Sequence, residues 1–202
     1  MSWPWSSPLP LIALKGARVV LRLPQMADYE PWYALRRSSR DFLKPFEPRW
    51  TEADLGRRVF VTRVKRARQE AEGGSDYSFF IFLGDGSDTL VGGITLSNVR
   101  RRAAQFVNLG YWMGQPYAGC GLMSEAVGVC LPFVFDTLDL HRIHAAFLPG
   151  NMASRRVLEK NGFVEEGFAK SYLQINGRWE DHVLFGLTRE RYETLRYTRR
   201  IA

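Results

Sequence analysis

Residues 114–123 read GQPYAGCGLM, and they connect a segment with the pattern of a β-strand to one with the pattern of a helix. The strand-like residues are 105–113, and the helix-like residues are 122–137. Glycines in such a connection let consecutive backbone N–H groups turn toward one point, and the helix start adds about half a positive charge. The loop is therefore predicted to bind an anion such as a pyrophosphate. A turn that only reverses the chain would have the same composition.

Two well-known phosphate-binding motifs do not fit this loop. A dinucleotide-binding fingerprint needs a third glycine at position 124, which is Ser124. No Gly-Lys-Ser or Gly-Lys-Thr sequence follows, so a P-loop is excluded as well. The loop thus indicates neither a Rossmann dinucleotide site nor an NTPase.

Outward from the loop, the chain is predicted to build one sheet with helices between its strands. The predicted strands are residues 18–23, 77–83, 89–98, 105–113, 142–147, 163–175 and 178–187. The predicted helices are residues 28–38, 51–73, 122–137 and 151–160. Thr51 and Asp54 resemble a capping box, and Pro132 should disrupt the helix that contains it. A strand, a helix and a strand around the loop indicate a parallel crossover, whereas the earlier strands suit an antiparallel meander.

One domain accounts for most of the 202 residues. Residues 18–189 are predicted to form it, after an N-terminal extension, 1–17, and before a basic C-terminal tail, 190–202. Two cysteines and three histidines give neither a disulfide framework nor a zinc-ligand set. No apolar run approaches the roughly 18 residues of a membrane span, so the sequence favours a cytoplasmic protein that has no membrane partner.

Positive charge is in excess, because 28 Lys and Arg against 21 Asp and Glu give a net charge of +7. Such an excess fits a polyanionic partner, for example RNA or a ribosome. The basic residues are spread along the chain, with local runs at 63–68, 100–102 and 196–200. Runs of this kind are usually solvated faces, so charge alone leaves the function open.

Seven short motifs occur in order between residues 19 and 188. They are DFLKPFEP (41–48), LGYW (109–112), GCGLMSEA (119–126), LHRI (140–143), NMAS (151–154), NGF (161–163) and NGRW (176–179). This set resembles the GNAT N-acetyltransferases, and among them the Rim-type (RimJ-like) ribosomal-protein-alanine N-acetyltransferases. The resemblance implies an α/β (α+β) GNAT fold with a mixed, mostly antiparallel central sheet. The sheet would splay in its middle to admit acetyl-CoA and would carry helices on both faces.

By this resemblance acetyl-CoA is the acetyl donor, and no metal is required. The family's signature (Gln or Arg, two residues, Gly, one residue, then Gly or Ala) falls on Ala118, Gly121 and Met123. Its first and last positions depart from the pattern, which argues against a side-chain contact with phosphate but keeps the backbone contacts. The resemblance assigns acetyl-CoA binding to Tyr111, Trp112, Met113, Ala118, Gly119, Cys120, Gly121, Leu122, Met123 and Asn151. Gly110 is expected to form a β-bulge that opens the sheet.

Asn151 and Ser154 lie three positions apart on one predicted helix, so their side chains can reach a common point. The resemblance makes Ser154 the candidate general acid for the departing CoA thiolate and Asn151 a pantetheine or thiol contact. It also implies that an N–H group of the strand near residues 111–113 stabilises the oxyanion. The alternative is that Asn151 only caps the helix and that Ser154 is a surface residue.

The acceptor is expected to contact Phe46, Glu47 and Tyr172. Glu47 or Tyr172 would orient the amine, and Phe46 and Trp50 would wall a small first residue. Glu47 also suits a solvated loop carboxylate, and Tyr172 suits a core or rim aromatic. The position of the glutamate base in RimL-type enzymes corresponds here to Leu173, so no base is carried over. A peptide α-amine costs only about 1 kcal/mol to deprotonate at pH 7, against roughly 4 to 5 kcal/mol for lysine. A water chain or a modest carboxylate would then suffice.

The leading interpretation is direct acetyl transfer to the N-terminal α-amine of a protein, with a ribosomal protein that begins with Ala or Ser as the inferred target. One alternative keeps this chemistry and replaces the acceptor by a lysine or a small-molecule amine. Another is a basic nucleic-acid-binding or ribosome-binding module with a vestigial acetyl-CoA site. The departures at Ala118 and Met123 would fit that module.

Overall fold

The computed structural model describes residues 12–201 of the chain. The strands are β1 (Ala13–Lys15), β2 (Val19–Arg22), β3 (Tyr77–Leu83), β4 (Leu90–Arg100), β5 (Phe106–Met113), β6 (Arg142–Phe147), β7 (Val164–Ile175) and β8 (Arg178–Thr188). They form an eight-stranded sheet in the order β1-β2-β3-β4-β5-β6-β8-β7. Only the β5–β6 pair is parallel within this sheet, so the predicted mixed, mostly antiparallel sheet and its single parallel crossover are confirmed.

Six α-helices occur in the described residues; the second and the last were not predicted, and the other four lie at predicted places. The six helices are α1 (Tyr29–Ser38), α2 (Arg40–Leu43), α3 (Arg57–Gly73), α4 (Leu122–Pro132), α5 (Met152–Lys160) and α6 (Arg189–Ile201). Short 3-10 turns occupy Met26–Asp28, Lys44–Phe46, Glu52–Leu55 and Gln115–Tyr117. The predicted capping box is present, but it caps the turn at Glu52–Leu55, and α3 begins after Gly56. The disruption at Pro132 is confirmed, because α4 ends there and continues as a π-helical turn, Phe133–Thr137.

Apolar side chains are buried on both faces of the sheet. Alternate residues of β3 point to opposite faces, so Phe79 and Phe80 belong to different cores. The larger core lies under α4 and α5 and includes Val127 and Leu158. The smaller core lies under α1 and α3 and is rich in aromatic rings such as Phe60. The expected helices on both faces of the sheet are therefore present.

The sheet opens between β5 and β6. Their pairing begins at Phe106 with Arg142 and ends at Leu109 with Ala145. Residues 110–113 remain paired with β4 on one side, while the last residues of β6 pair with β8. One edge of β5 is thereby left without a strand partner, and the predicted splay is confirmed. The expected bulge at Gly110 is wrong, because Gly110 pairs with Thr95 in continuous register; the cleft opens where the parallel pairing ends.

Both ends of the domain differ from the prediction. Ala13–Lys15, assigned to an extension, is an edge strand paired with β2, whereas residues 1–11 lie outside the described residues. The segment assigned to a basic tail belongs largely to helix α6. Tyr192 of α6 is buried and stacks on Phe135 with ring centroids 4.7 Å apart. The run of arginines concealed the apolar spacing of Tyr192 and Leu195, which places both residues on one helix face.

Candidate active site

A cavity of about 350 Å³ lies where β5 and β6 separate. Its walls come from the end of β5, the loop before α4, helix α5 and the segment after α2. Most of the residues assigned from sequence line it: Phe46, Glu47, Tyr111, Trp112, Met113, Ala118, Gly119, Gly121, Leu122, Met123, Asn151 and Ser154. Cys120 and Tyr172 do not line it. Residues from three separate parts of the chain, 42–47, 111–124 and 151–160, thus meet in one site.

The loop before α4 presents its backbone to this cavity. Gly119 and Gly121 have φ angles of +77° and +78°, a left-handed conformation that strains any residue with a Cβ atom. Among residues 12–201, no hydrogen bond uses the N–H groups of residues 119–121. The N–H group of Leu122 opens α4 and has no acceptor within the helix. Four consecutive N–H groups are therefore free to bind an anion at a positive helix end.

Arg18 and Glu125 fix this loop to the start of β2. The Arg18 side chain donates hydrogen bonds to the Cys120 carbonyl at 3.1 Å and to the Glu125 carboxylate at 2.8 Å, and its backbone N–H donates to the same carboxylate at 2.6 Å. Burial alone would raise the pKa of Glu125, but the hydrogen bonds from Arg18 lower that pKa overall. The Cys120 carbonyl thus anchors the loop, whereas a contact of Cys120 with phosphate stays a prediction.

Ser154 and Tyr111 form a hydrogen-bonded pair inside the cavity. Their hydroxyl oxygens lie 2.7 Å apart, and Ser154 is only 9% exposed, so it is not a surface residue. Burial raises the pKa of Tyr111 to about 12, which keeps its hydroxyl protonated at neutral pH. Asn151 caps α5, as the alternative interpretation held, because its Oδ1 accepts the N–H of Ser154 at 3.1 Å. Asn151 also lines the cavity, so capping does not preclude contact with a ligand.

Glu47 lines the same cavity, and three hydrogen bonds hold its carboxylate. Arg36 donates to both of its carboxylate oxygens, at 2.7 and 2.6 Å, and Trp50 Nε1 donates to Oε2 at 3.0 Å. The Arg36 guanidinium also lies over the rings of Trp50 and Trp112, with centroids at 5.0 and 4.8 Å. Glu47 is therefore a paired, largely buried carboxylate rather than a solvated loop residue. The backbone N–H of Asn176 donates to the Glu47 carbonyl at 2.8 Å, and this bond joins the β7–β8 turn to the segment that contains Glu47.

Sequence reasoning missed several residues of the site. Tyr111 was assigned through its backbone, and its hydroxyl contact with Ser154 was not foreseen. Arg36 was not considered, because it comes 11 residues before the carboxylate that it binds. The remaining unassigned lining residues are Phe42, Leu43, Tyr117, Ser124, Ala153, Arg156, Val157 and Lys160. Arg156 and Lys160 could have been predicted to line the site together, because residues four positions apart on a helix share one face.

Tyr172 lies away from these residues on the β7–β8 hairpin. Its ring is exposed and packs edge-on against His182, with centroids 5.7 Å apart. Within the described chain, no cluster of three or more His, Cys, Asp or Glu side chains is arranged to bind a metal. No helix in the described part of the chain combines the length and apolar character needed to cross a membrane.

Comparison with known proteins decides the family. A family model described as an acetyltransferase (GNAT) domain matches residues 18–164. The chain belongs to the GNAT acetyltransferase family. As members of this family do, it uses acetyl-CoA as the acetyl donor for N-acetylation. This assignment favours the enzyme over the alternative of a binding module with a vestigial site.

Individual GNAT relatives match along nearly the whole chain. The probable N-acetyltransferase YjcK of Bacillus subtilis (strain 168) is 35% identical over 179 residues, covering 86% of this chain and 96% of that protein. The ribosomal protein uS5-alanine N-acetyltransferase of Escherichia coli (strain K12) is 36% identical over 190 residues, covering 91% and 94%. These coverages show that both relatives are similar to this chain in length.

Two solved GNAT structures resemble the whole fold. The ribosomal-protein-S5-alanine acetyltransferase from Vibrio fischeri superposes with a TM-score of 0.82 at 29% identity, covering 90% of this chain and 98% of that one. Mycobacterium smegmatis RimJ in complex with CoA-disulfide superposes with a TM-score of 0.81 at 34% identity, covering 90% and 86%. The resemblance predicted from short motifs is thus confirmed.

The cavity of this GNAT domain has the features that acetyl-CoA requires. The free N–H groups at residues 119–122 suit a diphosphate, and glycine is needed there because of the positive φ angles. The unpaired edge of residues 110–113 offers main-chain donors and acceptors to a pantetheine arm. Arg156 and Lys160 add positive charge to the same walls. A diphosphate bound by these N–H groups would therefore need no contact with the side chains at positions 118 and 123.

Proposed function

We propose that this enzyme acetylates the N-terminal α-amine of a protein whose first residue is small, such as Ala or Ser, and that its target is a ribosomal protein. The similarity to the Escherichia coli uS5-alanine N-acetyltransferase supports this acceptor class. The observation that carries the proposal is the charge of the cavity. Among its described lining residues Glu47 is the one carboxylate, and Arg36 already neutralises it. A polyamine or lysine-rich acceptor would find no unpaired negative charge there.

Acetyl-CoA supplies an activated acetyl group as a thioester, which the amine takes while the CoA thiol leaves. The N–H groups on the free edge of residues 110–113 stabilise negative charge on the carbonyl oxygen. Ser154 gives its hydroxyl proton to the departing sulfur. In this mechanism Tyr111, which stays protonated, is assigned as the donor to Ser154 Oγ, so that the Ser154 proton is available to the sulfur.

Deprotonation of the acceptor needs little assistance from the enzyme. An α-amine titrates near 7.7–8.0, so a useful fraction is neutral at pH 7 without a dedicated base. Glu47 orients this amine by accepting a hydrogen bond, while Arg36 and Trp50 hold the carboxylate in place. Water in the open cavity then removes the proton. A lysine side chain would require a stronger base than these residues provide.

The product analysis of a defined peptide tests this proposal. The enzyme is incubated with labelled acetyl-CoA and a peptide that begins with Ala and carries an internal Lys, and mass spectrometry maps the acetylated nitrogen. We expect acetylation at the α-amine. The same analysis of total cytoplasmic protein identifies the natural targets. Products on lysine side chains alone contradict the proposal.

The role of Ser154 is tested separately. Ser154→Ala should lower kcat about 100-fold or more, because general acid catalysis contributes roughly 10²- to 10⁴-fold, with little change in the Kd of acetyl-CoA. Ser78→Ala, on β3 and outside the cavity lining, is the matched control and should keep wild-type kcat. Unchanged kcat in Ser154→Ala removes the assigned role.

A further inference from the structure

A second, strongly basic cavity lies beside the acceptor end of the active site. Its volume is about 280 Å³, and its lining is Arg40, Lys44, Pro48, Arg49, Trp50 and Asn176. The same short segment of chain serves both cavities, because Phe42, Phe46 and Glu47 line the first. Residues 40–50 therefore form a wall that the two cavities share. The apolar side chains of Phe42 and Phe46 line the active-site cavity, and cationic side chains line the second cavity.

The positive charge of this second cavity is uncompensated. Arg36 and Arg37, the preceding cations, pair with Glu47 and Glu52. Within residues 12–201, no ion pair engages Arg40, Lys44 or Arg49, although the Arg40 guanidinium lies over the Trp50 ring at 5.3 Å. Three exposed cations that face one concavity repel one another and attract an anionic group.

Two contacts join the second cavity to the acceptor site. Trp50, which lines the second cavity, donates its indole N–H to Glu47, which lines the first. Asn176, another lining residue, donates its backbone N–H to the Glu47 carbonyl at 2.8 Å. An extended peptide advances about 3.3 Å per residue, so only a few residues separate an amine at Glu47 from a side chain in the second cavity.

We propose that Arg40, Lys44 and Arg49 bind an acidic side chain, Asp or Glu, that lies within the first few residues after the acetylated N-terminus of the acceptor. This inference rests on the proposed function, since it extends the same peptide beyond its α-amine. Guanidinium and ammonium groups form charge-assisted hydrogen bonds with a carboxylate. A small concavity beside the acceptor site suits a single carboxylate better than the extended backbone of a nucleic acid, which requires a basic track. The second cavity thus adds sequence preference to a site that otherwise recognises only a small first residue.

Matched peptides test this inference. Each begins with Ala, and Glu or Gln is placed in turn at positions two to six; the measured quantity is the Glu-to-Gln ratio of kcat/KM within each enzyme. We expect the wild-type ratio to reach about 10 at one or two positions, mainly through KM, and to shrink at 0.5 M NaCl, because exposed charges are screened. A ratio within one enzyme is insensitive to the fraction of folded protein.

Variants at the second cavity then locate the preference. Lys44→Gln/Arg49→Gln should bring the ratio below about 2, and Lys44→Glu/Arg49→Glu should favour a Lys-containing peptide over the Gln peptide. Lys65→Gln, an exposed lysine on α3 that does not line either cavity, is the matched control and should keep the wild-type ratio.

The Glu-to-Gln ratio and the acetylated nitrogen together distinguish a failure of this inference from a failure of the proposed function. A wild-type ratio near one at every position, with the Gln peptide still acetylated on its α-amine, overturns the inference and leaves the proposed function standing. Acetylation only of lysine side chains overturns both. If the Lys44 and Arg49 variants lose RNA binding in a filter assay but keep the peptide ratio, the cavity serves a nucleic acid and the inference is wrong.

Discussion

At the scale of single residues, the proposed acetyl-CoA site depends on backbone atoms more than on side chains. Gly119 and Gly121 adopt left-handed φ angles, and both residues line the cavity. Ala118 and Met123 occupy the positions where the family signature has other residues, and neither provides a polar side chain. Phosphate binding by main-chain groups tolerates such substitutions, since every residue except proline has an N–H group.

Gly119→Ala tests this dependence on the backbone. Alanine at a φ of +77° costs roughly 1 kcal/mol in folding free energy, and relief of that strain would turn the N–H groups away from the phosphate. We expect the Kd of acetyl-CoA, measured by calorimetry, to rise about 10-fold, or about 1.4 kcal/mol. Gly86→Ala is the matched control, because Gly86 has a φ of +83° and equally open surroundings in the β3–β4 turn. Equal Kd changes in both variants would contradict the assignment.

Tyr111→Phe tests the hydroxyl pair. Loss of the Tyr111 hydroxyl leaves the Ser154 hydroxyl free to rotate, so kcat should fall about 10-fold, or about 1.4 kcal/mol, while the Kd of acetyl-CoA stays within about 2-fold. Because Tyr111 acts through Ser154, the double variant with Ser154→Ala should be no slower than Ser154→Ala alone. Additive losses of kcat in this cycle would show that the two hydroxyls act independently.

At the scale of elements, local pattern predicted most of the strands and helices but not those at the two ends. β5 and β6 have clear alternation or β-rich sequence, and the Asn-Gly turn correctly predicts the β7–β8 hairpin. β1 has three residues, too few for any period to be recognised, and it forms because β2 offers a free edge. Helix α6 was overlooked because its arginines dominate its composition, whereas its stability comes from packing against the core.

Substitution of Tyr192 tests the contribution of α6. Tyr192 is buried against Phe135, so Tyr192→Ala should lower the free energy of unfolding by about 3 kcal/mol in urea titration. Tyr197→Ala removes the same side chain from the same helix, where it is 69% exposed, and should cost less than about 0.5 kcal/mol. Similar losses in the two variants would mean that α6 is not docked as described.

At the scale of the whole molecule, the active site is assembled from segments far apart in sequence. The resemblance predicted the splayed sheet, which is confirmed, whereas phosphate binding by the loop and the position of Ser154 next to the acetyl donor stay predictions. The clamp of Arg36, Glu47 and Trp50 could not be predicted, because it depends on how α1 packs over the end of β5. The placement of Tyr172 could not be judged either, since alternation along a strand indicates a face of the sheet but not the distance to a cavity.

The pH profile follows from the choice of acceptor. For a peptide that begins with Ala, kcat/KM should rise with unit slope below the α-amine pKa of about 7.7–8.0 and then remain level. Tyr111, with its pKa raised to about 12 by burial, remains protonated across this range and adds no decline. Initial rates from pH 6 to 9.5 provide the check. A continued rise above pH 9 is expected only for an acceptor with the pKa of lysine.

The proposed mechanism requires that coenzyme A binds in the cleft between β5 and β6. A crystal structure of the complex tests this binding mode directly. The diphosphate should lie about 3 Å from the N–H groups of residues 119–122, with the pantetheine along residues 110–113 and the thiol near Ser154. Coenzyme A bound away from this cleft, or bound there without contact to those N–H groups, would contradict the proposed mechanism.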